Sequence, residues 1–210
     1  SVYFVGCEFG GGTTTDGYSG TGGGTWIDCY FHDLSGNGLT LTSTSFTANL
    51  INCVFDTCAG RGVYSSGALA AVASNLTLVN CTIYGCGNSG LEVADADIRP
   101  TIVNCLFLNN GDAAGEYNIE MVSERFGVRR NNVIYHSDAA KNYTGITIHS
   151  SEITSNPSLT DPANANFQPG SGSNALAAAL SPPGLSSYMD IGAIQRNVVE
   201  SSGIARVIGG

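Results

Sequence analysis

Two glutamates 28 positions apart share the same surroundings: Glu92 in Leu91-Glu92-Val93 and Glu120 in Ile119-Glu120-Met121. An acid between two apolar residues is the pattern of a strand with one wet face. If those strands are neighbours, the carboxylates stand about 5 Å apart, the separation that retaining glycosidases use. Repulsion between them would raise one pKa and leave an acid beside a base. The same oxygens, with Asp95 and Glu124 near the strand ends, could instead ligate calcium. Tyr64, in Val63-Tyr64-Ser65, has the same setting and offers a ring for saccharide stacking, as do Trp26, Tyr30 and Tyr117. A solvated charged face accounts for the two glutamates equally well, and packing accounts for Trp26.

Other chemistry is poorly supplied. The seven cysteines include no CxxC, and no HExxH is present. The shortest spacings, Cys53 to Cys58 and Cys81 to Cys86, leave four intervening residues each, the widest that structural zinc sites typically use. His32, His136 and His149 fall at unrelated positions. With 8 Lys plus Arg against a formal charge of −9, and Arg129-Arg130 as the only basic doublet, a duplex nucleic-acid surface is excluded. No run of 18 apolar residues suggests a membrane span. The chain opens on VYFVGCEF, already a strand pattern, and reads as a processed or truncated product. Asn75, Asn80 and Asn142 each begin an Asn-x-Thr acceptor pattern, with Asn80 poorly accessible.

The cysteines belong to a repeat that must position the glutamates. Gly6-Cys7, Asp28-Cys29, Asn52-Cys53, Asn80-Cys81, Asn104-Cys105 and Asn131-Asn132 recur at intervals of 22, 24, 28, 24 and 27 residues. Such periods signal a solenoid. Gly, Asp and Asn are the residues that most readily enter the left-handed region, so the first column marks a tight bend. The second is small and inward. Two residues on, Phe9, Phe31, Phe55, Ile83, Phe107 and Ile134 form a large inward column. Alternation then places Glu8, Tyr30, Val54, Thr82, Leu106 and Val133 outward, and puts Cys53 between inward layers of Ile51 and Phe55.

A Gly- or Asn-rich turn and a short strand follow each bend strand, and segments such as NLTLVN and RPTIVN lead into the next pair. The short strands are Leu39–Leu41, Val63–Ser65, Leu91–Val93, Ile119–Met121 and Ile146–Ile148, with Thr40, Tyr64, Glu92, Glu120 and Thr147 outward. Three strands per turn of 22–28 residues describe an all-β parallel β-helix, a single-chain solenoid. Cys7, Cys29, Cys53, Cys81 and Cys105 then form one ladder ended by Asn132, and Cys58 and Cys86 a second. Parallel rungs point their side chains the same way, so free, buried thiols are expected rather than disulfides.

Residues 1–160, through INCVF, VNCTI, VNCLF and NNVIY with their glycine-bearing turns, resemble the right-handed parallel β-helix, or pectate-lyase-like, superfamily. Residues 161–196 resemble the closing segment of secreted or surface β-helix repeat proteins: Asp161-Pro162, Pro169-Gly170-Ser171, the Ala-rich stretch 174–180 and Asp190-Ile191-Gly192-Ala193 match. This segment is expected to cover the open end of the solenoid. Residues 197–210 fall outside that pattern and read as a docking or interaction tail. The scaffold hosts many chemistries. Lyases of the superfamily pair acidic calcium ligands with a basic residue; Arg61, Arg125 or Lys141 would have to serve here, and no Asp/Arg arrangement matches a lyase motif.

Two functions follow. One is a non-catalytic module of an extracellular, cell-surface or virion assembly, of phage decoration or tail type, touching other protein subunits, with Tyr64, Glu92 and Glu120 as the candidate contacts for polysaccharide. The other is a polysaccharide lyase or glycoside hydrolase with Glu92 and Glu120 as its catalytic pair. Neither function requires a cofactor; Glu92, Glu120 and Asp95 are the candidate ligands should calcium be bound.

Overall fold

The bend column sets the architecture. Gly6, Asp28, Asn52, Asn80, Asn104 and Asn131 all lie in the left-handed region, with φ from 52° to 61°. Each turns the chain sharply from one sheet into the next. The computed structural model describes residues 1–11, 15–43, 45–67, 74–125, 127–176, 178 and 191–193. The 197–210 tail lies outside the described residues, as does part of the 161–196 segment.

Three parallel six-stranded sheets wind about one axis. The first, before each bend, stacks β1 (Val2–Val5), β4 (Gly24–Ile27), β7 (Thr47–Ile51), β10 (Ser74–Val79), β13 (Ile98–Val103) and β16 (Val128–Arg130). The second, after each bend, stacks β2 (Glu8–Gly10), β5 (Tyr30–His32), β8 (Val54–Asp56), β11 (Thr82–Tyr84), β14 (Leu106–Leu108) and β17 (Val133–Tyr135). The third stacks β3 (Tyr18–Gly20), β6 (Leu39–Thr42), β9 (Val63–Ser66), β12 (Leu91–Val93), β15 (Ile119–Met121) and β18 (Tyr143–Thr144). Among the described residues the only helical pieces are single 3₁₀ turns at Ala139–Lys141 and Pro162–Asn164.

Register turns the repeat into ladders. Phe9, Phe31, Phe55, Ile83, Phe107 and Ile134 are paired rung to rung. The rings of Phe9, Phe31 and Phe55 stack at 4.5 and 4.6 Å, close to the strand spacing that imposes it. All seven cysteines are free, and all but Cys7 are buried. Ile51 departs from expectation: it faces solvent, and Leu50 is the buried neighbour. The left-handed residue at Asn52 rotates the chain, so alternation does not carry through the bend.

A second column makes room for the aromatic stack. Gly38, Gly62 and Gly90 precede strands of the third sheet, and each has its amide or its successor's amide bonded to the next coil. A Cβ on Gly38 would lie 2.5 Å from Phe55 Cδ1, and one on Gly62 would lie 2.6 Å from Ile83 Cγ2. Asn118 and Asn142 continue this column and change its chemistry. Asn118 Oδ1 accepts from Asn110 N and Nδ2 at 3.0 and 2.9 Å. Asn110 also follows Cys86 in the second cysteine ladder, accepting from Cys86 N at 3.0 Å. Asn132 ends the first ladder in the same manner, accepting from Cys105 N at 2.9 Å and donating to Ile102 O at 3.1 Å. Arg129, in register with Ile102 on an otherwise apolar inward column, meets Glu152 at 2.8 Å; both side chains are buried. The last two coils thus set bonded polar groups into an otherwise apolar core.

The outer face of the second sheet is the largest correction. Val54, Thr82, Leu106 and Val133 point away from the solenoid axis, yet all are buried. Leu106 and Val133 pack with Ala175 and Ile191, while Val54 packs with Phe167 and Ala193. Backbone bonds fix this cover: Gly192 N donates to Asn104 O at 2.9 Å and Ala193 N to Thr82 Oγ1 at 2.9 Å. An antiparallel pair, β19 (Leu159–Asp161) and β20 (Asn166–Pro169), carries Phe167 into place. Among the described residues, Ile153, bridged to Val133, continues the stack at its end. The described parts of the closing segment therefore run along the flank rather than across the end.

Candidate functional site

The third sheet brings the expected residues together. Tyr64 pairs with Glu92, and Glu92 with Glu120, each pair directly opposite in adjacent parallel strands. Apolar neighbours on either side, Leu91 and Val93, Ile119 and Met121, are buried and lock the glutamates outward. Thr40 occupies the same outward column but is buried, its hydroxyl accepting from Asn37 Nδ2 at 2.9 Å. The sixth and last strand is Tyr143–Thr144, so Thr144 stands opposite Glu120. Thr147, placed in that column by the sequence reading, instead donates its amide and hydroxyl to Glu124 at 3.1 and 2.7 Å. Gly145, at φ 73°, ends the strand before Ile146.

Two residues that the strand pattern did not supply complete the site. Arg61 donates from Nε to Glu92 Oε2 and holds its guanidinium carbon 4.9 Å above the Tyr64 ring centroid. Glu116, from the turn before β15, joins Glu92 and Glu120 so that one carboxylate oxygen of each lies within 4.8 Å of the others. Alternation cannot find a turn residue. The coil register does, because Gly90 N bonds to Tyr117 O and so sets Glu116 over the preceding turn.

Ser89 links the acids. Its Oγ lies 2.8 Å from Glu116 Oε2 and 2.7 Å from Glu120 Oε2, and it accepts from Tyr117 N at 3.0 Å. One hydroxyl has one proton for two carboxylates. With Glu120 protonated, every group is satisfied: Glu120 donates to Ser89, and Ser89 donates to Glu116. Burial pushes the Glu120 carboxyl above its usual range, and the charges of Glu92 and Glu116 push further against the Ser89 hydrogen bond and Arg61. These groups can hold a proton between two acids and a cation against a third.

Asp95 does not join them. Its Oδ1 accepts from Asp97 N at 2.9 Å, closing a local turn. Three clustered oxygens would leave calcium short of its six to eight ligands, and Arg61 already supplies positive charge. Arg125 is engaged with Asp97 at 3.3 Å. Lys141 donates to the carbonyls of Asp112 and Ala113 at 2.7 and 3.2 Å, and to that of Gly111. Trp26 is fully buried in the core.

A second polar cluster lies on the outer face of the early coils. His32 sits between Glu8 Oε1 at 2.8 Å and Asp33 Oδ2 at 2.9 Å, stacked on Tyr30 at 4.3 Å. Tyr30 OH donates to Asp56 Oδ2 at 2.8 Å. Burial pulls the imidazole pKa down, and the two carboxylate hydrogen bonds outweigh it, leaving the pKa raised. His136 and His149 lie elsewhere, bonded within their own turns.

Searches of curated proteins and of solved structures each returned no match. The right-handed β-helix region family matches residues 4–177. With bends, ladders and three stacked parallel sheets over the same span, the chain belongs to the right-handed β-helix family.

Proposed function

We propose that this chain is a rigid, non-catalytic module of an extracellular surface or virion assembly, of decoration or tail type. The observation that carries the reading is the internal pairing of its acidic cluster. Glu92 is bonded to Arg61, and Glu120 and Glu116 share Ser89. A catalytic pair needs one acid and one base free to reach a substrate. Here the Arg61 guanidinium holds Glu92, the carboxylate that would act as base, and the Ser89 hydroxyl holds Glu120, the carboxyl that would act as acid. Tyr64, Glu92 and Glu120 then serve as a contact surface for saccharide, and neighbouring subunits are the principal partners.

The alternative, a polysaccharide-cleaving enzyme, is favoured by one observation. Glu120 has its carboxyl pKa raised by burial and lies beside Glu92, which is paired with Arg61; a raised carboxyl next to a second one is the arrangement of a proton donor. The two readings separate in one experiment. The chain is incubated with a panel of acidic and neutral polysaccharides, and product is followed by size-exclusion chromatography and, for lyases, absorbance of unsaturated ends. No depolymerisation, with recovery of repeated copies on a native particle, is the expected outcome. Depolymerisation that disappears in Glu120→Gln would overturn the assembly reading.

A further inference from the structure

The outer face of the first sheet has no role in what precedes. Its register aligns Val5, Ile27, Ile51, Val79 and Val103 in one aliphatic column. Of six large apolar side chains most exposed among the described residues, four lie on this face: Tyr3, Val5, Ile51 and Val128. The second sheet's outer face is covered by the closing segment, and the third carries the acidic cluster. Only the first presents an uninterrupted apolar line.

The dimensions of that line select its occupant. It is one side chain wide and, at one rung per 4.7–4.9 Å, about 19 Å long. A stable subunit interface buries about 800 Å² per partner, several times what such a strip offers. A single extended segment fits it. The described chain ends next to it: Ile191 bonds to Ala175, Gly192 to Asn104 and Ala193 to Thr82. Ile191 packs with Leu106 and Val133, and Ala193 with Val54, so the chain descends the flank toward the first coils beside the bend column. Ile51 and Val79 lie immediately across that bend from Val54 and Thr82. The four residues 194–197 reach about 13 Å when extended, enough to cross it. Beyond them the sequence supplies Val198, Val199, Ile204, Val207 and Ile208.

We infer that residues 197–210 dock in cis along the Val5–Ile27–Ile51–Val79–Val103 column. The tail thereby gives the first sheet the apolar cover that the closing segment gives the second. This inference stands apart from the assembly reading, since it concerns one chain alone.

Hydroxyl-radical footprinting tests it on the full chain and on a chain ending at Arg196, with the mass of each followed by light scattering. Both are expected to be monomeric, with labelling of Val5, Ile51 and Val79 rising at least threefold on removal of the tail. Ile51→Glu in the full chain displaces the tail without truncation and is expected to raise Val79 labelling similarly. Equal labelling with and without the tail, and in Ile51→Glu, overturns the inference. A dimer that persists in the truncated chain and dissociates in Ile51→Glu also overturns it, by naming a second copy as the occupant.

Discussion

Asn52 has a backbone at φ 57° and a side chain that donates to Asp28 Oδ1 at 2.6 Å. The left-handed region costs most residues about 1–2 kcal/mol, and a β-branched residue more. Asn52→Val is therefore expected to lower stability by about 2 kcal/mol, read as a shift in urea midpoint at unchanged slope. Asn52→Gly should lose less, since only the bond to Asp28 is given up. His32 carries the clearest pH signature. Its raised pKa means that protonation stabilises the fold: the contribution is complete below the unfolded value near 6.5 and is lost as pH rises through the folded value. The stability advantage of the native chain over His32→Gln should thus be largest at pH 5 and shrink by pH 8.5. An advantage constant across that range would show that stacking on Tyr30, and not charge, holds the ring. At this scale the bend was legible because only a few residue types tolerate its φ. Arg129 was not: Val128-Arg129-Arg130 reads as a polar pair, and nothing local reveals that Glu152 awaits the first arginine inside.

Elements differ in how far their neighbours reach. The third sheet's glycine column exists for the aromatic stack beside it, so steric cost there should depend on position alone. Gly62→Ala brings a Cβ within 2.6 Å of Ile83 Cγ2 and 2.7 Å of Gly90 O, whereas Gly22→Ala meets nothing within 4 Å. The first is expected to cost about 1–3 kcal/mol by overpacking, and the second to stay within about 0.5 kcal/mol; paired thermal melts measure the contrast. The strands of the first two sheets were readable from period and register. The wet or dry state of the second sheet's outer face was not. Alternation assumes one solvated face, while Leu106 and Val133 are covered by Ala175 and Ile191, more than 40 positions downstream. The apolar content of Val54, Leu106 and Val133 was the available sign that both faces are dry. Glu116 escaped because it lies in a turn, and β18 because Ile146–Ile148 imitates a strand better than Tyr143–Thr144 does.

As a whole the molecule is a stack whose interior is hydrocarbon in its early coils and admits amides and an ion pair in its last two. Arg129 and Glu152 are the deepest part of that change. Breaking a buried pair by neutralising one partner costs about 3–5 kcal/mol. Glu152→Gln should accordingly destabilise the chain by that order, with hydrogen exchange rising first in β16 and β17 rather than in β4 and β5. Uniform exchange along the stack would mean that the coils open as one unit, contrary to nearest-neighbour coupling.

The bend column has a consequence for how such a chain can change length. Asn80-Cys81 and Asn104-Cys105 occupy equivalent corners with equivalent φ, 53° and 56°. Joining Asn80 directly to Cys105 would excise residues 81–104 and still present an asparagine followed by a cysteine at the corner. Every inward side chain would find the same kind of neighbour above and below. A cut anywhere within a coil would instead flip a strand or break a ladder. The coil is thus the grain of the molecule, the smallest amount by which it can be shortened or lengthened while remaining the same object.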